Sequence, residues 1–510
     1  MVNIACFQTG RRGFMGAFHS ATVRVLGGIG LASFFALQPA FASPAFTLEE
    51  AIAGAIRNNP DFAADSLDCE LAKIELKRAQ DRYGLVLSLD SGINQSVRPT
   101  SSSLSGGTRL DEISDNLDLA LKQSLVSNGE IGLTFANGLA TTNSTFTTIN
   151  PAYTPKLTLS YSQPLLRDAW TGALLVRKAD LASQLARLTT RDKLMKLVAD
   201  TSCAYWDLIS VREAQALLER SLVTSRALLQ ANMAKEASGF LAKIDVVQAR
   251  ASVAATEADL LDAERQVLNS EDRLRRLILP ADASAGWLED LIPADKPDFR
   301  PKKLDFPSVR KVALERRPDY RAALLEIESR RCEADEAKSG TLPGLNLKVS
   351  SGVTQLSDRY AKAVGDLGAL QNYFVSAGVS LELPVSRPSQ RDAYEKSLLA
   401  LAQSELRASA AERQLFNDLR KAFRNVEIGA KRMEAAQVAK DLARQQLEAE
   451  MDKLNLGLST NFQVITYQKS LDETSLKANN SLVDGIKAEI ELKRLEGTLL
   501  DGMNLSEVLK

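Results

Sequence analysis

The stretch KLTLSYSQPLLRDAW, Lys156 to Trp170, changes its period in the middle. Leu157, Leu159 and Tyr161 alternate with Thr158, Ser160 and Ser162, the period of two that marks a strand with one apolar and one polar face. Pro164 ends that pattern, and from about Ala173 to Ala237 there is neither proline nor glycine. The spacing predicts a helix of roughly 65 residues, about 100 Å long at 1.5 Å per residue. A half-apolar strand that runs straight into a helix several times the usual length is compatible with few folds.

The pattern occurs twice. AIRNNPDFAA (Ala55 to Ala64) returns as ALERRPDYRA (Ala313 to Ala322). Each copy leads into an alternating strand: Leu85, Leu87, Leu89 and Ile93 oppose Ser88, Asp90, Asn94 and Ser96, and Leu345, Leu347, Val349 and Val353 oppose Asn346, Lys348, Ser350 and Thr354. The counterpart of the Lys156 strand is VSAGVSLELPV, in which Pro384 matches Pro164 as the point where strand gives way to helix. Several strands with polar faces favour a membrane barrel, lipid outside and water within. The first copy also carries about 40 extra residues, because Pro60 to Pro318 is a shift of 258 and Gly239 to Gly457 one of 218. These lie between Gly92 and Pro164, where residues 116–137 read as another hairpin turning at Ser127, Asn128 and Gly129.

The strongest periodicity is helical. Val246, Ala249, Val253, Thr256, Leu260, Ala263, Val267, Ser270, Leu274 and Leu277 are spaced alternately 3 and 4. Val464, Tyr467, Leu471, Thr474, Ala478, Ser481, Gly485, Ala488, Leu492, Leu495 and Leu499 repeat that spacing in register after the shift of 218. Sustained heptads predict left-handed supercoiled packing, and the many small residues allow close approach.

Composition removes other function classes. Lys and Arg total 63 against 64 Asp and Glu, so the chain carries no electrostatic footprint for nucleic acid. Arg11, Arg12 and Arg24, the apolar run Val25 to Phe35 and Ala40-Phe41-Ala42 read as an export signal cleaved after Ala42. Beyond it no run of 18 apolar residues appears, which excludes an ordinary membrane-spanning helix. Cleavage also removes Cys6 and the one histidine, His19. The remaining Cys69, Cys203 and Cys332 have no metal-ligand or disulfide spacing and are expected to pack as small apolar residues. No metal or cofactor is expected, and an enzyme lacks support without a Gly-rich phosphate loop or a histidine. The rival reading is a periplasmic coiled-coil adaptor or scaffold, which explains the helices but not the strands.

The export signal, the duplicated NNPD and RRPD helix entries, the paired strands, QPLLRD before a long helix, and tips reading SGFLAKIDVVQA and LGLSTNFQVITY together resemble the TolC family of outer-membrane efflux channels. The resemblance covers nearly all of the mature chain. It implies a mainly α fold with a membrane β-barrel: a trimeric α-helical tunnel crossing the periplasm and continuing into a barrel in the outer membrane of a Gram-negative bacterium. It also implies a homotrimer, contact with outer-membrane lipid, a periplasmic adaptor and an inner-membrane pump, and no nucleic acid.

The organisation expected is a signal peptide at 1–42 and a first repeat at 43–280. That repeat has strands 85–97 and 156–164, the extra hairpin 116–137, and helices 173–237 and 241–279. A linker at 281–303 leads to a second repeat at 304–500, with strands 345–355 and 373–384 and helices 389–455 and 460–500. A tail occupies 501–510. The resemblance places adaptor docking on Ser238, Gly239, Phe240 and Leu241 and on Leu456, Gly457, Leu458 and Ser459. Gln463 and Thr466 stand where family members carry aspartate rings, so the tunnel constriction is expected from packing and neutral hydrogen bonds, with Asp245 as a single weak acidic ring. The extra hairpin is expected outside the barrel as an extracellular loop, because Asp118, Lys122 and Glu130 are strongly polar even for a lumen. The trimer would then close twelve strands rather than eighteen.

Overall fold

The computed structural model describes residues 46–100, 107–280, 290–300, 305–383, 386 and 388–501. The signal segment, most of the linker, Pro384 and the tail beyond Asp501 lie outside them. Two short helices open each repeat: α1 (Leu48–Asn58) and α2 (Pro60–Asp81), then α5 (Phe306–Arg316) and α6 (Pro318–Gly340). Pro60 and Pro318 each occupy the first turn, where the missing N–H costs nothing and the fixed φ suits the helix. In α2 the N-cap Asn59 also accepts from the Phe62 N–H at 3.0 Å.

The strands form one antiparallel sheet in chain order: β1 (Leu85–Pro99), β2 (Arg109–Ser124), β3 (Glu130–Thr142), β4 (Ala152–Pro164), β5 (Gly344–Thr354) and β6 (Tyr373–Glu382). Register puts the apolar residues on one face. Leu89 faces Leu119, Leu119 faces Phe135, Phe135 faces Leu157, Leu157 faces Val353, and Val353 faces Tyr373. The opposite face carries Asp90 across from Asp118, with Ser88, Thr134, Thr158 and Ser350 nearby in the ladders. Tyr153 and Tyr161 bracket the apolar face of β4 about 26 Å apart along the strand, the scale of the lipid-facing band in outer-membrane barrels.

The hairpin expected to stand outside the sheet is instead its β2 and β3, paired along most of their length with β1 and β4. Its turn lies at the helical end, not the far end: the Asn128 amide donates to the Asp168 carbonyl at 2.9 Å, and Ser127 Oγ donates to Gln163 Oε1 at 2.8 Å. Asp118, Lys122 and Glu130 share a parity that places all three on the polar face of the sheet.

Two helices of 67 and 68 residues, α3 (Thr171–Ala237) and α8 (Pro388–Asn455), run the length of the helical part. Near the sheet they pack on α2 and α6; farther out they turn back as α4 (Lys243–Ile278) and α9 (Asn461–Glu496), 36 residues each. The heptad residues line that seam: Val246, Ala249, Val253, Ala263, Val267 and Leu274 are buried in α4, and Val464, Ala478, Ser481, Gly485, Leu492 and Leu495 in α9. A small helix, α7 (Tyr360–Asp366), lies between β5 and β6.

The core concentrates where α1 and α5 cross the bundle. Tyr205, Leu208 and Leu274 meet Leu419, Val483 and Phe299 there. The Tyr205 hydroxyl donates to Asp295 Oδ2 at 2.7 Å, and burial together with that bond raises its pKa well above the ordinary tyrosine value. Asp295 also accepts from the Leu48 N–H at 2.8 Å, and Phe46 bridges Pro293, so the chain entering α1 and the linker are fastened together at this level. Cys69, Cys203 and Cys332 are free thiols; burial pushes Cys203 up to about 11.

Candidate functional site at the helical tips

The α3–α4 and α8–α9 hairpins end in the same backbone device. Gly239 has φ +79° and Gly457 φ +74°, the left-handed conformation that costs an L-residue about 1–2 kcal/mol and glycine nothing. Phe240 N–H donates to Lys235 O at 2.9 Å, and Leu458 N–H donates to Lys453 O at 2.8 Å. With Gly239 N–H on Glu236 O and Gly457 N–H on Leu454 O, each end is a Schellman cap. Such a cap is usually accompanied by an apolar contact between the residue after the glycine and the third residue from the helix end. Here that third position is Lys235 or Lys453. Phe240 and Leu458 therefore stand free, 86% and 76% exposed.

The structure enlarges the patch read from sequence. Ile244 and Val247 beside the first tip, and Phe462 beside the second, are also exposed apolar side chains, as is Leu456, which the sequence already named. The shift of 218 relates Phe240 to Leu458 and Ile244 to Phe462, so the signal was present in the duplication. Ser238 directs its hydroxyl back to Ala234 O at 2.9 Å, and Leu241 is half-buried.

The second tip is laced by side chains. The Thr460 hydroxyl caps α9 by accepting from Gln463 N–H at 3.3 Å. Ser459 Oγ donates to Glu450 and lies 2.9 Å from Gln463 Oε1, and Lys453 Nζ reaches Glu450 at 3.1 Å. The Ser459 hydroxyl first, then Lys453, hold the Glu450 carboxyl below its ordinary value. Thr466 Oγ1 bonds its own helix at Phe462 O, 2.8 Å. Both Gln463 and Thr466 are exposed in the single chain. The first tip lacks this lacing: Ala242 at the start of α4 offers no side-chain cap. Asp245 lies in the first turn of α4, where a carboxylate favours the helix dipole. Asn232, the counterpart of Glu450 after the shift of 218, is 1% exposed, with neither its amide oxygen nor its nitrogen hydrogen-bonded.

At the sheet end, Pro164 closes β4 and Thr171 opens α3. The Asn128 amide donates to Thr171 Oγ1 at 2.5 Å, and Tyr83 Oη donates to Gly172 O at 2.8 Å. The turn of the extra hairpin thus braces the strand-to-helix junction of the first repeat. Among the described residues no group of His, Cys, Asp and Glu is arranged to hold a metal ion, and no helix is long and apolar enough to cross a membrane.

A family model described as "outer membrane efflux protein" matches residues 51–278 and 309–498. The chain is 26% identical over 321 residues to the pyoverdine export outer membrane protein OpmQ of Pseudomonas putida; the match covers 61% of this chain and spans 57% of that relative's length. Among solved structures, the Campylobacter jejuni CmeC outer membrane channel superposes with TM-score 0.66 at 14% identity, covering 91% of this chain and 89% of that one. The open-state Neisseria gonorrhoeae MtrE outer membrane channel gives 0.62 at 18%, covering 89% of each. At such identities the likeness shows the fold: a helical tunnel joined to a β-barrel. The chain belongs to the outer membrane efflux protein family and is placed in the outer membrane, its helices reaching into the periplasm.

Proposed function

We propose that three copies of the chain form the passive exit duct of a tripartite efflux or type I secretion system, fed through a periplasmic adaptor by an inner-membrane pump. One observation carries this reading. A sheet that is apolar on one face and, among the described residues, unpaired on the outer edges of β1 and β6 continues into helices about 100 Å long. Open edges cannot persist in hydrocarbon, where no water satisfies their backbone groups. Three copies of six strands close eighteen, a size that leaves an aqueous channel, with the polar face turned inward. The adaptor docks on the two tips, where Phe240, Ile244, Leu458 and Phe462 form an apolar surface that the caps themselves do not use.

The periplasmic mouth is held by packing and neutral hydrogen bonds, with Gln463 and Thr466 at its second tip and Asp245 as its one acidic contribution. The purified chain is expected to run as a trimer, stay with membranes in alkali, and conduct ions in planar bilayers. An alkali-extractable monomer without conductance overturns the reading. Block by micromolar divalent or trivalent cations from the periplasmic side is expected to weaken in Asp245→Ala; block retained in that variant places a carboxylate gate elsewhere.

A further inference from the structure

Between the two hairpins, two to four turns behind the tips, the helices line a partly open pocket of about 170 Å³. Ala227, Leu228 and Ala249 supply one side, and Met451, Val464 and Ile465 the other. Four polar side chains, Thr224, Ser225, Ser252 and Gln468, complete the lining. Thr224 Oγ1 donates back to Arg220 O at 3.1 Å, and the Gln468 amide donates to Asp472 Oδ1 at 3.1 Å. With Thr224 and Gln468 bonded elsewhere and most of the wall hydrocarbon, the space favours an apolar occupant over water.

The duplication shows why the space exists. The shift of 218 that aligns the hairpins puts Ala249 opposite Tyr467, so the first repeat has a methyl group where the second has a phenol. Close-packed interiors ordinarily fill such a volume, because unfilled walls lose dispersion contacts. Here the remaining wall is Met451, an unbranched side chain that adapts to irregular neighbours.

We propose that this cavity is a binding site for a compact apolar molecule about the size of benzene. An apolar cavity of about 150 Å³ in another protein accepts benzene or xenon, so the volume suits that class. An occupant touches α3, α4, α8 and α9 at once and holds the two hairpins together behind the tips. The site lies within one chain and does not depend on the duct reading.

The test uses the full chain in lipid nanodiscs, with fluorobenzene as the probe followed by fluorine NMR, and crystals pressurised with xenon. Expected are saturable fluorobenzene binding at one site per chain, above the linear partition into lipid, and xenon density between Ala249 and Val464. Ala249→Tyr, which installs the residue of the second repeat, abolishes both signals; Ala249→Ser keeps them. Should Ala249→Tyr fail to assemble, Ala227→Leu fills the same space from α3 and carries the same expectation. Absence of a saturable component and of xenon density in the unaltered chain overturns the proposal. So does binding that survives in a folded cavity-filled variant, since the ligand then sits elsewhere.

Discussion

The two tips share a backbone and differ in what ties it down. Both end in a glycine with φ near +75°, both make the same pair of cap hydrogen bonds, and both leave an apolar residue in solvent. The second adds Thr460 as an N-cap and ties Ser459, Lys453 and Gln463 around Glu450. The first has Leu241, Ala242 and Asp245 in the corresponding places, and its Asn232 is buried without a partner. Turn geometry thus survives duplication because a single glycine and the helix ends enforce it. Side-chain lacing needs several residues to agree, and it has diverged.

The largest expected effect tests what the tips share. Phe240→Asp combined with Leu458→Asp places a carboxylate at each tip of the chain, six in the proposed trimer, and removes the apolar contact surface. Export is expected to fall to the level of a strain lacking the protein, with trimers intact on gels. Each single variant is expected to lose a part, the two parts similar. Normal export by the double variant breaks the docking reading, and loss confined to one tip breaks the equivalence.

Next come the glycines. No atom lies within 4 Å of a Cβ added at Gly239 or Gly457, so alanine there meets only backbone strain. Each substitution is expected to destabilise its hairpin by about 1 kcal/mol, and by the same amount in both. Local hydrogen exchange of peptides spanning each tip measures this. A much larger loss at Gly457 shows that the lacing of the second tip depends on the cap.

Asn232 separates the tips in the opposite direction. Asn232→Leu replaces a buried, unbonded amide with an apolar group of similar shape and is expected to stabilise the first hairpin by about 1 kcal/mol. A loss of stability in its place shows that ordered water completes the amide.

Much of this molecule is legible in its sequence. The heptads from Val246 and Val464, the missing prolines and the repeated NNPD and RRPD entries specify long paired helices, because period and breakers are local properties. The strands of the extra hairpin are equally local, but their placement is not. Whether 116–137 joins the sheet depends on β1 and β4 offering matched partners, and Asp118 and Lys122 look too polar until register puts them on the polar face of the sheet. Asn232 is the hardest to read. A lone asparagine in a helix is unremarkable, and only its alignment with Glu450 and the loss of a serine at Leu241 mark it as unpartnered.

The smallest expected effect concerns acid. The folded Glu450 carboxyl titrates below its ordinary value of 4.5, because the Ser459 hydroxyl and the Lys453 ammonium favour its charged form. The folded state therefore binds fewer protons than the unfolded one, and the stabilisation is fully present above about pH 4.5. It is lost as the pH falls through the folded value. The first tip has an amide at this position, which does not titrate. Between pH 6 and pH 3.5, once the intrinsic pH dependence of exchange is removed, peptides covering 450–463 are expected to lose protection while those covering 232–245 change less. Glu450→Gln is expected to abolish the difference, since a neutral amide keeps the shape and removes the proton. Equal loss at both tips shows that acid acts on the bundle as a whole, and the contrast between laced and bare hairpins then has no electrostatic part.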